Sequence, residues 1–297
     1  GGVFFYFLKN NHMKFLWMLI ISFCAAISLQ AQKNDSTCVS SFVNADDFKT
    51  EFIIRVTYNS SLNYYGRTDS LASSGLYPFI GVNFKNGLYF NTSFVFIKNK
   101  ISRAYAATIV ESGYQFKNEK EDWAYNLFAN AFFYQNNNNL VQSVLKGTSG
   151  INITNLNKII NINFGGNVKL SDELDYSASA GLDHTCRISK IGKGIIVVDP
   201  SAYLYAGTQN FTKTYYQKQN ILFLPAGEKQ VTTNSKKFDI LSYEFSMPVV
   251  YALGKMNIIL IPSYVLPQNL IVVPWRTDLS EKGKDLFYGT ASIKFTL

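Results

Sequence analysis

DLFYGTASIKFTL, residues 285–297, is the stretch whose reading decides the fold. Written as a strand, Phe287, Gly289, Ala291, Ile293, Phe295 and Leu297 share one largely apolar face. Tyr288, Thr290, Ser292, Lys294 and Thr296 share the other, which is polar with one aromatic. Successive side chains of a strand point to opposite sides, so clean alternation calls for oil on one side and water on the other. No helix period fits this segment.

Composition extends that reading to the whole chain. The 297 residues are 15% aromatic but only 16% charged, against about 25% charged in a soluble domain. Mean hydropathy is +0.00, far below that of a helical membrane protein. A barrel whose strands alternate between lipid and lumen averages to such a value. The competing architecture is an aromatic-rich soluble β-sandwich or lipocalin-like barrel. The formal charge of +8 is spread along the chain without a Lys/Arg block, so the basic face that nucleic acid requires is missing.

Residues 13–32, MKFLWMLIISFCAAISLQAQ, have the form of an export signal. Lys14 gives a short positive region, Phe15–Ile27 an apolar one, and Ala31 stands before a cut that leaves Gln32 first. Leu29 is larger than ideal for that cut, and retention of Phe15–Leu29 as an anchor is the alternative. The expected organisation is therefore an upstream extension over 1–12, a signal peptide over 13–31, a periplasmic lead-in over 32–50 and an outer-membrane barrel over 51–297. The most apolar later run, Ile258–Trp275, is interrupted by Pro262, Pro267 and Pro274, whereas a helical span needs about 20 continuous apolar residues. In an exported chain of amphipathic strands, only a closed barrel satisfies every backbone group within lipid.

From Phe52 onward the chain divides into segments of about 9–13 residues, near the length of a tilted membrane strand. Ile160, Ile162, Phe164, Val168 and Leu170 alternate against Asn161, Asn163, Gly165, Asn167 and Lys169. Lys85-Asn86-Gly87 marks a tight hairpin, with Asn-Gly able to take positive φ. The expected strands run near 52–62, 76–84, 87–97, 104–116, 123–135, 141–154, 160–170, 174–188, 195–211, 238–253, 257–266 and 285–297. That gives about twelve, an even number within the bacterial range. The long connections, Gly66–Gly75, Thr212–Lys237 and Val272–Lys284, all fall on one side, and both barrel termini fall on the other.

Inward parity assigns the charges Arg55, Glu111, Lys146, Lys169, Asp175, Asp183, Arg187, Glu244 and Lys294 to the lumen. They are read either as a salt-bridge lattice filling a narrow interior or as a selectivity lining of a water-filled pore. Trp123, Tyr125, Phe133, Tyr251, Tyr264 and Phe287 lie near strand ends, where aromatic girdles form. The connection Thr212–Lys237, with Tyr215, Tyr216 and Phe223, is the expected binding or plugging loop. His184 shares a face with Tyr176, Ala178, Ala180, Leu182 and Ile188 and is read as an interfacial residue, and no Gly-x-Ser-x-Gly elbow accompanies it. Cys38 and Cys186 are the mature cysteines, and spacing alone does not establish whether they pair. No Cys/His cluster has metal-ligand spacing, so no cofactor or metal is expected.

The Ala31-Gln32 signal end, the Asn/Lys/Tyr-rich strands and the alternating closing strand resemble the small outer-membrane β-barrel proteins of Bacteroidota. The resemblance implies residence in the outer membrane among lipids and lipopolysaccharide, with insertion by the barrel-assembly machinery. It transfers no catalytic or binding residue and leaves oligomeric state open. The functional expectation is a non-enzymatic barrel, either a narrow channel or a structural, surface-interacting protein, with an outer-membrane lipid-modifying enzyme as the alternative. A closed barrel resists detergent until boiled, so unheated protein is expected to migrate faster on gels than heated protein. Identical mobility in both lanes, with recovery in the soluble periplasm, would refute the barrel.

Overall fold

A computed structural model describes residues 50–68, 73–100, 103–135, 145–210, 237–270 and 283–297. The lead-in, the export segment and Cys38 lie outside the described residues, as do Tyr215, Tyr216 and Phe223. Seventeen strands follow in chain order. The first group is β1 (Glu51–Asn59), β2 (Asn63–Tyr64), β3 (Arg67–Thr68), β4 (Ser74–Asn83), β5 (Leu88–Lys98) and β6 (Arg103–Lys117). Next come β7 (Trp123–Tyr134), β8 (Gly147–Asn155), β9 (Asn161–Leu170), β10 (Leu174–Asp183), β11 (Cys186–Ile191) and β12 (Gly194–Val198). The last are β13 (Ser201–Gly207), β14 (Asp239–Ser246), β15 (Val249–Leu253), β16 (Met256–Pro267) and β17 (Leu286–Thr296).

All but the β2–β3 pair join one antiparallel sheet of fifteen strands. Three staves of the wall are each broken in two, as β10/β11, β12/β13 and β14/β15, so the wall has twelve staves. The ends meet where β17 pairs with β1 from Ile53↔Thr296 to Asn59↔Thr290 while its other edge pairs with β16. Leu297 extends the seam by donating its N–H to the Phe52 carbonyl at 2.8 Å. This is a closed, up-and-down transmembrane barrel, as the alternation of the closing strand requires.

Outward residues form the apolar belt. On β1 these are Phe52, Ile54, Val56 and Tyr58, and on β9 Ile162 and Phe164, all substantially exposed. Aromatics gather at both rims. Tyr114, Phe116 and Tyr125 stack at the end that carries the short turns, with Phe116–Tyr125 centroids 4.8 Å apart. Phe96 packs on Tyr105 near the opposite, loop-bearing end, where Phe133 and Phe287 are also exposed. Outward rings at two levels are the girdles expected of a barrel in lipid.

Two local features differ from the sequence reading. The Lys85–Gly87 turn has positive φ only at Gly87, and Gly87 N–H donates to the Phe84 carbonyl at 2.9 Å. It is the expected turn over Lys85-Asn86-Gly87, closed by a left-handed glycine alone, with Asn86 not at positive φ. The second difference is that the strands expected over 174–188, 195–211 and 238–253 are broken at one level. There His184 N–H donates to the Pro200 carbonyl, Asp199 N–H to Pro248 and Met247 N–H to Pro262. Proline has no N–H to return. The broken strands continue past the break as a sheet of β11, β12 and β15 at the turn end. Cys186 begins β11 there, opposite Val198.

A Cβ added to Gly87 would meet the Gln115 backbone oxygen at 2.1 Å, on a backbone with φ of 89°. Gly87→Ala is therefore expected to destabilise the barrel by at least about 1–2 kcal/mol, read as a shifted midpoint of urea-dependent refolding into detergent micelles. The neighbouring Lys85→Ala is expected to change it by less than about 0.5 kcal/mol.

Candidate functional site in the lumen

The inner wall is polar because inward parity selects Asn, Ser, Thr and charged residues on strand after strand. Seven of the nine charges assigned from the sequence occupy inward positions: Arg55, Glu111, Lys169, Asp175, Asp183, Glu244 and Lys294. Lys146 does not line the lumen. β8 begins only at Gly147, and the Lys146 ammonium sits exposed at the loop end, 2.9 Å from Asp172. Arg187 is exposed as well, because it lies beyond the strand break on β11. His184 stands at that break, half-buried.

At three carboxylates the expected salt-bridge lattice is built from neutral donors. Asp183 accepts from Asn161 Nδ2 at 2.7 Å and also from Asn163 Nδ2. Glu111 accepts from Asn91 Nδ2 at 3.1 Å, and Glu244 from the Tyr288 hydroxyl at 2.8 Å. Amide and phenol donors carry no charge of their own, so they satisfy these oxygens without the cancellation that a cationic partner would bring.

Residues 62–68 of the connection after β1 enter the loop-bearing half of the lumen from above. Its tip is the β2–β3 hairpin, whose turn residues Tyr65 and Gly66 have φ of 53° and 77°. Asn63 Oδ1 accepts the Gly66 N–H at 3.1 Å. Left-handed φ is uncommon for an aromatic residue and is retained only where its surroundings impose it. Here Tyr65 packs on Tyr205 of β13, with centroids 5.0 Å apart, and on Tyr64 at 4.5 Å. Burial pushes the Tyr65 phenol up, which keeps it a neutral group.

Two cations fasten this plug. Lys169 of β9, only 4% exposed, hydrogen bonds the Tyr64 hydroxyl, and its ammonium lies 5.0 and 5.1 Å from the Tyr64 and Tyr65 ring centroids. Arg67 belongs to the plug itself and reaches the wall. Its Nη1 donates to the Leu241 carbonyl at 3.1 Å and its Nη2 to the Gln268 carbonyl at 3.0 Å. On the other wall Leu62 packs against Val95, Ile97, Ala106 and Ala107, a buried apolar cluster also touched by Tyr77 and Tyr134. The fully buried Asp175 ties down the start of the connection after β13, accepting from Thr208 Oγ1 at 2.6 Å and Asn210 N–H at 2.5 Å.

Beneath the plug, toward the turn end, lies a cavity of about 260 Å³. Arg55, Lys294, Glu111, Asn91, Asn126 and Phe79 are among its lining residues. Arg55 stacks its guanidinium over the Phe79 ring, 4.2 Å from the centroid. The sequence reading brought Arg55, Glu111 and Lys294 to the lumen but did not foresee that they share one chamber. It also missed Tyr64, Tyr65 and Arg67, since 63–65 fell between the expected strand over 52–62 and a stretch, 66–75, read only as a polar loop; the one available signal was two adjacent tyrosines and an arginine within a connection otherwise too polar to bury.

No protein-family model matches the chain, and no curated protein matches it. Among solved structures it is similar to a porin, KdgM, at 7% identity, covering 82% of this chain and 99% of that one with a TM-score of 0.46. It is similar also to an outer membrane channel from Pseudomonas putida F1 at 10% identity, covering 84% and 96% with a TM-score of 0.47. LpxR from Salmonella typhimurium matches at 11% identity, covering 82% and 99% with a TM-score of 0.42.

Removing the Arg67 guanidinium leaves two carbonyls without these donors, a loss of about 1–3 kcal/mol. Arg67→Ala is therefore expected to raise amide hydrogen exchange across 63–68 by about tenfold or more, with exchange in β1 and β17 unchanged. Equal protection in both proteins would show that the arginine does not hold the plug.

Proposed function

We propose that the protein is a non-enzymatic outer-membrane channel for small solutes, closed at its outer mouth by the connection between β1 and β4. The short-turn end faces the periplasm in this reading, and the loop end faces outward among lipopolysaccharide. One observation carries it: among the described residues, the lumen holds a polar chamber large enough for a small solute and, above it, a plug from the connection after β1. A purely structural barrel has no need of a polar chamber, because side chains can fill the interior of a small barrel. The plug is held by hydrogen bonds to carbonyls and by cation–ring contacts, each worth on the order of 1 kcal/mol. Contacts of that size can be exchanged for water without disturbing the wall.

The competing class, a lipid-modifying barrel, needs a nucleophile beside a base at the lipid-facing rim. His184, the one histidine among the described residues, stands half-buried at the turn-end break. Mixed charge around the chamber fits small polar solutes better than strongly selective ion flow.

Planar-bilayer recording tests the proposal. The wild-type protein is expected to conduct weakly with infrequent openings, and replacing 63–68 with a Gly-Ser linker is expected to raise conductance several-fold. A linker variant that shows heat-modifiable gel mobility yet passes no current would overturn the channel and leave a structural or surface-interaction role.

A further inference from the structure

The chamber beneath the plug contains a pair of cations, Arg55 and Lys294, on which Glu111 and Glu51 act only across space, without a direct ion pair. Arg55 and Lys294 are direct partners across the β1–β17 seam. Like charges placed opposite one another on neighbouring strands destabilise the pairing. Neither makes an ion pair among the described residues. The Arg55 Nε is buried without a hydrogen-bond partner, a second sign that the wall does not satisfy this guanidinium. The carboxylate within the chamber, Glu111, accepts from the Asn91 amide, and Glu51 lies near Lys294 at the mouth, outside the chamber lining.

The surroundings are built to hold these groups in place. Phe79 fixes the plane of the Arg55 guanidinium by stacking beneath it. Asn91 fits because residue 81 is glycine, where a Cβ would come within 2.2 Å of the Asn91 Oδ1. Tyr89 donates its hydroxyl to Asn126 Oδ1 at 3.1 Å, which fixes a second amide in the same lining. A planar fork held at a fixed angle suits a carboxylate, which it engages with two parallel bonds. The amide-rich remainder suits hydroxyl groups, which both donate and accept. A volume of about 260 Å³ admits roughly nine waters at about 30 Å³ each, or one organic molecule of comparable bulk.

We infer that this chamber is a binding site for a small polyhydroxy carboxylate, held at its acid group by Arg55 and Lys294 and along its hydroxyls by the amides. The inference rests on the channel reading only for how such a solute would enter and leave.

Calorimetric titration of the purified full chain in detergent with gluconate, sorbitol and acetate tests it. Gluconate is expected to saturate one site. Sorbitol, which lacks the charge, is expected to give no saturable signal, and acetate, which lacks the hydroxyls, to bind at least tenfold more weakly. Arg55→Gln is expected to weaken gluconate at least tenfold, whereas Glu111→Gln, which removes the opposing charge, is expected to tighten it several-fold. The Glu111 variant keeps the test decisive if the Arg55 variant fails to fold. Absence of saturable gluconate binding, equal affinity for acetate, or an affinity unmoved by the two substitutions would overturn the site. Conductance of the same preparation without gluconate separates the two proposals: current without binding removes the site and leaves the channel, and binding without current does the reverse.

Discussion

Everything in this molecule depends on the seam between its first and last wall strands. A sheet edge in lipid would leave a row of N–H and C=O groups with no water to meet them, at several kcal/mol each. β17 removes that row by pairing with β1 through seven consecutive residues, and the seam is fastened inside by Thr57 Oγ1 and Ser292 Oγ at 2.8 Å. Closure of the seam also sets the parity of every other strand. Because Arg55 opposes Lys294 and Thr57 opposes Ser292, the same alternation passes around the wall from strand to strand and returns in phase. The polar lumen and the apolar exterior are two results of one register.

A polar interior creates a second requirement, because charges shielded from lipid must still be solvated or bonded. The protein meets it differently at the two ends. Toward the loops, the chain between β1 and β4 is folded back so that Tyr64 and Tyr65 meet Lys169, and Arg67 meets main-chain carbonyls. Toward the turns, the wall keeps a chamber and holds its acids with amides. The left-handed Tyr65 at the tip of the plug is what a tight turn requires once the ring must enter the lumen ahead of the chain. Its aromatic contacts offset the cost of that backbone conformation.

Much of the wall was legible from residues 285–297 and their echoes because membrane strands must alternate, and alternation survives in a single sequence. The strands expected near 160–170 and 257–266 agree with β9 and β16 to within a residue. Inward charges were legible for the same reason, and Lys146 and Arg187 fell outside the lumen because they lie beyond the wall strands' regular course. What alternation could not reveal was tertiary. Leu62, Tyr64, Tyr65 and Arg67 carry no periodic signal, and their burial depends on partners at 205, 241 and 268 that are distant in sequence. The breaks at Pro200 and Pro248 were equally silent, because a proline read alone marks an edge or a bend without saying that its neighbours across the sheet bend at the same height.

That shared height has a mechanical consequence. Pro200, Pro248 and Pro262 each receive a hydrogen bond from the adjacent stave at the break, through His184, Asp199 and Met247. Since proline cannot donate in return, the fabric along this line is held by half its usual threads. On the turn side of the line β11, β12 and β15 continue as one piece of sheet, joined to the wall where Val249–Leu253 pairs with β16. The barrel thus has a crease running part of the way around its turn end, drawn by three rings that each lack one hydrogen.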